Sequence, residues 1–245
     1  MNKTIYSIVI PAILLVLPPF ILLLTGCHWE PSHNIESAKW LYWITQTAGL
    51  PYSLITSLIL LLITLFVFRK RTKQIMIWGL IIICGDVLLG QGIKILIKNS
   101  VQEPRPYVVW LEKNQGISND HFYDLPRNER AILIKNTLEQ NPQIPIWQRE
   151  HWQAETGYSF PSGHVLFSAC WALLLISLFW QNSHYLLAII VALWAESVAI
   201  SRIWLGMHWA SDVIVSVIIS MILAIMTCFL LKRVSFLNVN NVSKE

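Results

Sequence analysis

This sequence is short of charge. Asp, Glu, Lys and Arg make up 13% of its 245 residues, where a soluble domain carries roughly a quarter. Hydrophobic residues make up 55%, and the mean hydropathy is +0.53. An ordinary water-soluble domain is excluded. Cysteine is also sparse. Cys27, Cys84, Cys170 and Cys228 are scattered, three of them inside apolar runs, so neither a disulfide framework nor a metal-ligand spacing is present. Free thiols are expected at all four. The 14 acidic residues form no group suited to a magnesium or two-metal centre, and no cofactor is expected. There is no internal repeat and no low-complexity tract. The net charge of +4 does not point to a nucleic-acid partner, because the basic residues sort by loop as membrane orientation requires.

What the chain has in abundance is apolar runs. Stretches near the roughly 20 residues needed to cross hydrocarbon lie at 5–25, 51–68, 74–97, 163–180, 184–201 and 211–231. The expectation is an all-α polytopic membrane protein with six transmembrane helices. Trp40, Trp43, Trp78, Trp180, Trp204 and Trp209 fall near span ends, as interfacial belts do, although 12 tryptophans exceed what two belts need. Arg69, Lys70, Arg71 and Lys73 make the loop between the second and third spans cytoplasmic by the positive-inside rule, together with Lys3 and Lys232-Arg233. Counting alternately then places 26–50, 98–162 and 202–210 outside. Leu24-Thr25-Gly26-Cys27 resembles a lipoprotein cleavage site. Against that, the preceding run is longer than a signal h-region, is interrupted by Pro11, Pro18 and Pro19, and would take the inside terminus with it; a retained first span is the simpler account.

One membrane-embedded domain is expected over 1–233, followed by a disordered tail at 234–245. The long outer region, 98–160, is expected to hold one short amphipathic helix within 126–141, ended by Asn141-Pro142 and Pro145. A polar region of that length is usually functional or structured.

Three clusters of ionisable and hydroxyl residues fall on this outer side or within about a turn of it. In the first, Lys98 ends the third span and Arg105 follows, stiffened by Pro104 and Pro106. Alone, these two would read as interfacial anchors. In the second, Pro161-Ser162-Gly163-His164 opens the fourth span. Pro161 suits a first helical position, and Ser162 and Gly163 offer backbone N–H groups at a helix start, where anions bind; alone, the histidine would read as a cap. The third is Ser201-Arg202 with His208 and Asp212. If that stretch is helical, His208 and Asp212 share a face, so the carboxylate can accept a hydrogen bond from Nδ1–H and leave Nε2 deprotonated as a nucleophile. A structural His–Asp pair is the plain alternative for these two alone. Taken together, two guanidinium forks and an ammonium fit phosphoryl oxygens, and charged groups at the edge of hydrocarbon call for a function. Asp86 and Lys94 in the third span and Glu196 in the fifth belong to no cluster. Lys94, one turn before Lys98, could extend the basic pocket toward a second phosphate.

The set Lys98-x6-Arg105-Pro106, Pro161-Ser162-Gly163-His164 and Ser201-Arg202-x5-His208-x3-Asp212 resembles the signature of the type 2 phosphatidic acid phosphatase superfamily, which includes vanadium haloperoxidases. The resemblance implies a metal-independent phosphatase with catalytic His208, His164 and Asp212. His208 would form a phosphohistidine, Asp212 would orient it, and His164 would protonate the leaving oxygen and then activate water. Lys98, Arg105, Ser162, Gly163 and Arg202 would hold the phosphoryl oxygens. It also implies a bacterial cytoplasmic membrane, with both termini inside and the site on the periplasmic side. The implied substrates are membrane phospholipid or isoprenoid phosphates: phosphatidylglycerophosphate, phosphatidate, lysophosphatidate, diacylglycerol pyrophosphate and undecaprenyl pyrophosphate. No obligate protein partner is evident. Phosphoryl transfer to another lipid or to lipid A, and non-enzymatic transport of lipid phosphates, stand as alternatives.

Overall fold

The computed structural model describes residues 2–26, 29–31 and 35–237. Among these every regular element is helical: α1 Asn2–Leu24, α2 Lys39–Gln46 led by a short 3-10 turn, α3 Tyr52–Val67, α4 Lys73–Val101, α5 Pro106–Gln115, α6 Asn119–Asp124, α7 Arg127–Leu138, α8 Ile146–Ala154, α9 Gly163–Gln181, α10 Tyr185–Trp204 and α11 Ala210–Arg233. The all-α expectation holds. Five of these, α1, α4, α9, α10 and α11, are long and apolar enough to cross a membrane. The expected second span is shorter: at 16 residues α3 reaches about 24 Å at 1.5 Å per residue, less than the ~30 Å hydrocarbon core.

α9 is the centre of the bundle, packed against α1, α4, α10 and α11, and it is apolar all round because every side faces a neighbour. Small hydroxyl residues set its register on α11. Ser216 Oγ accepts from Ser162 N at 3.0 Å, and one turn on Ser220 Oγ donates to Leu166 O at 3.3 Å while accepting from Cys170 Sγ at 3.4 Å. Such contacts let helices approach closely where lipid gives no hydrophobic drive to association. α1 continues through Pro11, Pro18 and Pro19, which neighbouring helices tolerate in a membrane. On α1, α3, α4 and α10 the large exposed side chains, among them Leu14, Leu58, Leu88 and Leu193, form the surface that meets lipid.

The outer region departs from the expectation. The amphipathic helix is there as α7, with Ile134 and Leu138 buried, but it ends at Leu138, before the two prolines, and it packs on α8 in a region that also holds α5 and α6. These close a second core around Tyr107, Trp110, Phe122, Trp147 and Trp152. The surplus tryptophans are used here: Trp152 stacks on Tyr107 at 4.8 Å, and Trp29 meets its edge at 5.9 Å. The tail is corrected too. Val234–Leu237, expected to be disordered, fold back so that Phe236 is buried against Phe68 at 4.7 Å; residues 238–245 lie outside the described residues. Cys84, Cys170 and Cys228 are free thiols, and Cys27 lies outside the described residues.

Candidate active site

The three clusters meet beneath the cap. The loop after α10 is held by backbone acceptors: Trp29 Nε1 donates to Trp204 O at 2.8 Å, Trp152 Nε1 to Leu205 O at 3.1 Å, and Tyr107 N to Gly206 O at 3.0 Å. Gly206 has φ +70°, and a Cβ there would stand 2.5 Å from the Trp29 ring; only glycine takes both the left-handed backbone and the close approach. Two residues later the chain delivers His208, 1% exposed.

His208 is not on a helix, as the four-residue spacing had suggested. α11 starts at Ala210, and Asp212 reaches back over its N-terminus. Its Oδ2 accepts from Trp209 N at 3.0 Å and lies 3.1 Å from His208 Nδ1, an arrangement that the helix dipole favours for an anion. Ser159 Oγ also donates to Oδ2 through a short hydrogen bond and lies 3.4 Å from His208 Nδ1. On the other side of the ring, Arg105 Nη1 is 3.4 Å from Nε2. A guanidinium donates and never accepts, so Nε2 presents its lone pair and Nδ1 carries the proton. Burial first, then the charges of Arg105, Arg202 and Lys98, hold His208 well below the ordinary histidine range. The ring is neutral, as a nucleophile must be.

Arg105 is aimed by its other contacts, Nε to Gly157 O at 2.7 Å and Nη1 to Met207 O at 3.0 Å. Arg202, fully buried in the last turn of α10, donates from Nη1 to Thr45 Oγ1 at 3.0 Å. Between the two guanidinium groups sits Glu155. Its Oε2 is 2.5 Å from Arg202 Nη2 and 3.4 Å from Arg105 Nη2, and its Oε1 is 3.5 Å from His164 Nε2 and 3.9 Å from His151 Nε2. Although burial opposes its charge, Arg202, His164 and Arg105 together keep Glu155 well below the usual carboxylate range. His151, buried beside it, is pushed down to about 3, chiefly by burial. The site therefore holds one internal oxyanion in a cradle of cations.

The second cluster differs in detail. Pro161 is not the first helical residue; Ser162 caps α9, its Oγ accepting from Val165 N at 3.5 Å. The Ser162 N–H is already given to Ser216 and is not exposed as expected. Gly163 and His164 occupy the first turn, where helical N–H groups lack intrahelical partners. His164 is positioned by close approach, since a Cβ at Gly49 would stand 2.6 Å from Nε2. Lys98 lines a cavity beside Arg105 and Glu155. Lys94 donates to Gln91 Oε1 at 2.7 Å, and its stem lies against Gly163, so it borders the site. Asp86 is elsewhere, accepting from Thr227 Oγ1 at 2.7 Å, and the buried Oε1 of Glu196 has no hydrogen-bond partner among the described residues. Glu155, Ser159, His151, Thr45, Gly49 and Glu103 escaped the sequence reading. Burial first, and then the charge of neighbouring Asp212, push the carboxyl of Glu103 up to about 8. No group of three or more potential metal ligands is found among the described residues.

The model of the PAP2 superfamily matches residues 76–235, which contain all three clusters. Phosphatidylglycerophosphatase B of Escherichia coli K12 is 41% identical over 223 residues, covering 91% of this chain and 87% of that protein, and the Shigella flexneri protein of the same name matches equally. Phosphatidylglycerophosphatase B of Haemophilus influenzae is 34% identical over 232 residues, 91% of this chain and 95% of its own. A buried histidine paired with a carboxylate, a buried cation cradle and these matches converge, and the chain belongs to the PAP2 superfamily as a phosphatase.

Proposed function

We propose that this protein removes the terminal phosphate from membrane lipids by way of a phosphohistidine on His208. The observation that carries this reading is the state of the His208 ring: Nδ1 is tied to Asp212, and Nε2 faces Arg105 with its lone pair beside a site that already accommodates an oxyanion. The substrate phosphoryl group takes the position of the Glu155 carboxylate, its oxygens received by Arg202, Arg105 and Lys98, with the first-turn N–H groups of α9 adding the helix-terminus field. Nε2 forms a bond to phosphorus as the bond from phosphorus to the lipid oxygen breaks, and His164 gives that oxygen a proton. Water then attacks the phosphohistidine with its proton passing to His164, and inorganic phosphate and free His208 are regenerated. Asp212 stabilises the imidazolium character that His208 gains at each transfer. Side-chain cations supply the charge neutralisation throughout, so the reaction needs no metal.

The substrate class follows from depth. The clusters lie at the ends of apolar helices whose lipid-facing surface is continuous, so a lipid can enter laterally with its headgroup already level with the site. Phosphatidylglycerophosphate is the first candidate, given the names of the relatives, with phosphatidate, lysophosphatidate, diacylglycerol pyrophosphate and undecaprenyl pyrophosphate as further members. Lys94, at the edge of the site, extends the cation field for substrates with two phosphates. The site faces the periplasm of a bacterial inner membrane, opposite the basic 69–73 loop. The experiment is phosphate release by the purified protein from this panel, with and without EDTA. Turnover of phosphatidylglycerophosphate that EDTA leaves unchanged is expected. Loss of turnover in EDTA contradicts the metal-free mechanism, and transfer of labelled phosphate to a second lipid instead of water contradicts hydrolysis.

A further inference from the structure

The arginines of the cap are of two kinds. Arg130 gives its guanidinium to the carbonyls of Leu125, Thr156 and Tyr123 at 2.8, 3.0 and 2.5 Å. Arg149 gives its own to Ile144, Leu138, Glu139 and Asn141 at 2.6 to 3.0 Å. Both hold the fold together, and Arg105 is engaged in the catalytic site. Arg127 alone is exposed, and among the described residues its guanidinium has no hydrogen bond or ion pair. It is nonetheless close to the site: a Cβ at Gly157 would stand 3.4 Å from its Nη2, and the Gly157 carbonyl is the one that fixes Arg105 at 2.7 Å.

Arg127 looks into a cavity of about 350 Å3 lined by Lys98, Arg105, Asn128, Gln153 and Thr156 among others. Three cations face it, and its one acid, Glu155, is already paired with Arg202. Apart from Lys98 every lining residue belongs to the cap segments between 105 and 157, and the only apolar side chains in the wall are Ala131 and Ala154. A lipid tail has nothing to pack against here. The volume suits a small, multiply charged oxyanion with its water, since each water takes about 30 Å3.

We propose that this cavity is an outer anion subsite that receives inorganic phosphate as it leaves the catalytic cradle, on an aqueous path separate from the lipid's, with Arg127 as its outermost contact. The assignment rests on the phosphatase reading, because phosphate is the product of that hydrolysis. It gives the buried site what a lateral lipid entrance does not supply, a polar route for the anion out and for water in.

The test is calorimetric titration of inorganic phosphate into the purified full chain in detergent. Glu155 occupies the inner position, so added phosphate meets the outer subsite first. Loss of one charge-assisted contact in Arg127→Gln is expected to weaken phosphate binding about tenfold, with Arg127→Lys restoring most of it and Glu129→Gln, on the same turn, not weakening it. In parallel, the KM for the lipid is expected to change less than twofold in Arg127→Gln. Phosphate affinity unchanged in Arg127→Gln overturns the proposal, as does a lipid KM that rises in step with the loss of phosphate binding, which would put Arg127 on the substrate headgroup. A wild-type protein that binds phosphate but releases none from any lipid would sink the function and leave the subsite standing.

Discussion

Asp212 takes three hydrogen bonds on Oδ2, and Oδ1, sealed from water, receives none of them. A buried carboxylate oxygen without a donor is costly. Glu103 is the neighbouring acid: burial first, and then the charge of Asp212, push its carboxyl up from 4.5 to about 8, so that it keeps its proton beside Asp212. The sign follows directly. A raised folded-state value means that the native protein binds the extra proton between about pH 4.5 and 8, so Glu103 contributes stability that is complete at the acid end of that window and lost as pH rises through about 8. Above it a second negative charge stands beside the His208–Asp212 pair. The kcat/KM of the wild type is expected to fall above about pH 8, and Glu103→Gln, a permanent donor, is expected to keep activity through that range. A pH profile that is the same in both proteins contradicts this role. Glu103 shows what a sequence hides. Lys98, Arg105, His164, Arg202, His208 and Asp212 stood out because ionisable groups at the ends of apolar runs are rare. Glu103 and Glu155 were two of eight acids in the polar region 98–160, and nothing local separates the carboxylate that fills the cradle from those on the surface.

At the scale of elements, the spans were legible because hydrocarbon demands length and apolarity, and the start of α7 was legible from its apolar positions. The cap was not. α5, α6 and α8 are 10, 6 and 9 residues long, too short to show a helical period, and their buried residues converge on one core from several directions. The His208–Asp212 spacing pointed to the right pair through the wrong geometry, since contact is made across the start of α11 and not along it. That contact depends on the loop that Gly206 turns. Gly206→Ala places a Cβ at a left-handed residue and against Trp29, at about 1–3 kcal/mol of backbone strain. We expect a lower thermal midpoint together with a kcat reduced by at least about tenfold, because a displacement near 1 Å at a reacting group costs up to about a hundredfold. Wild-type values for both would show that the loop is not what places His208.

The molecule as a whole is a bundle with two unlike ends. At one end Phe68, next to the basic 69–73 segment, packs on Phe236; at the other the cap seals Arg105, Arg202, His208 and Asp212 from bulk water. Alternation of the spans had already put the clusters together on one side, though not the distances between them. What the fold adds is exclusion: His208, Arg105 and Arg202 are each less than a twentieth exposed, so charge developing on a bound phosphoryl group would be met by fixed donors. The claim on which the rest depends is that His208 carries the phosphoryl group. Rapid-quench reaction of the purified protein with phosphate-labelled lipid, followed by mass spectrometry of its peptides, tests this directly. Label on His208 is expected, building up further in His164→Ala, where the hydrolytic step lacks its base, and absent in His208→Ala. Label on another residue, or full phosphate release by His208→Ala, would contradict the mechanism.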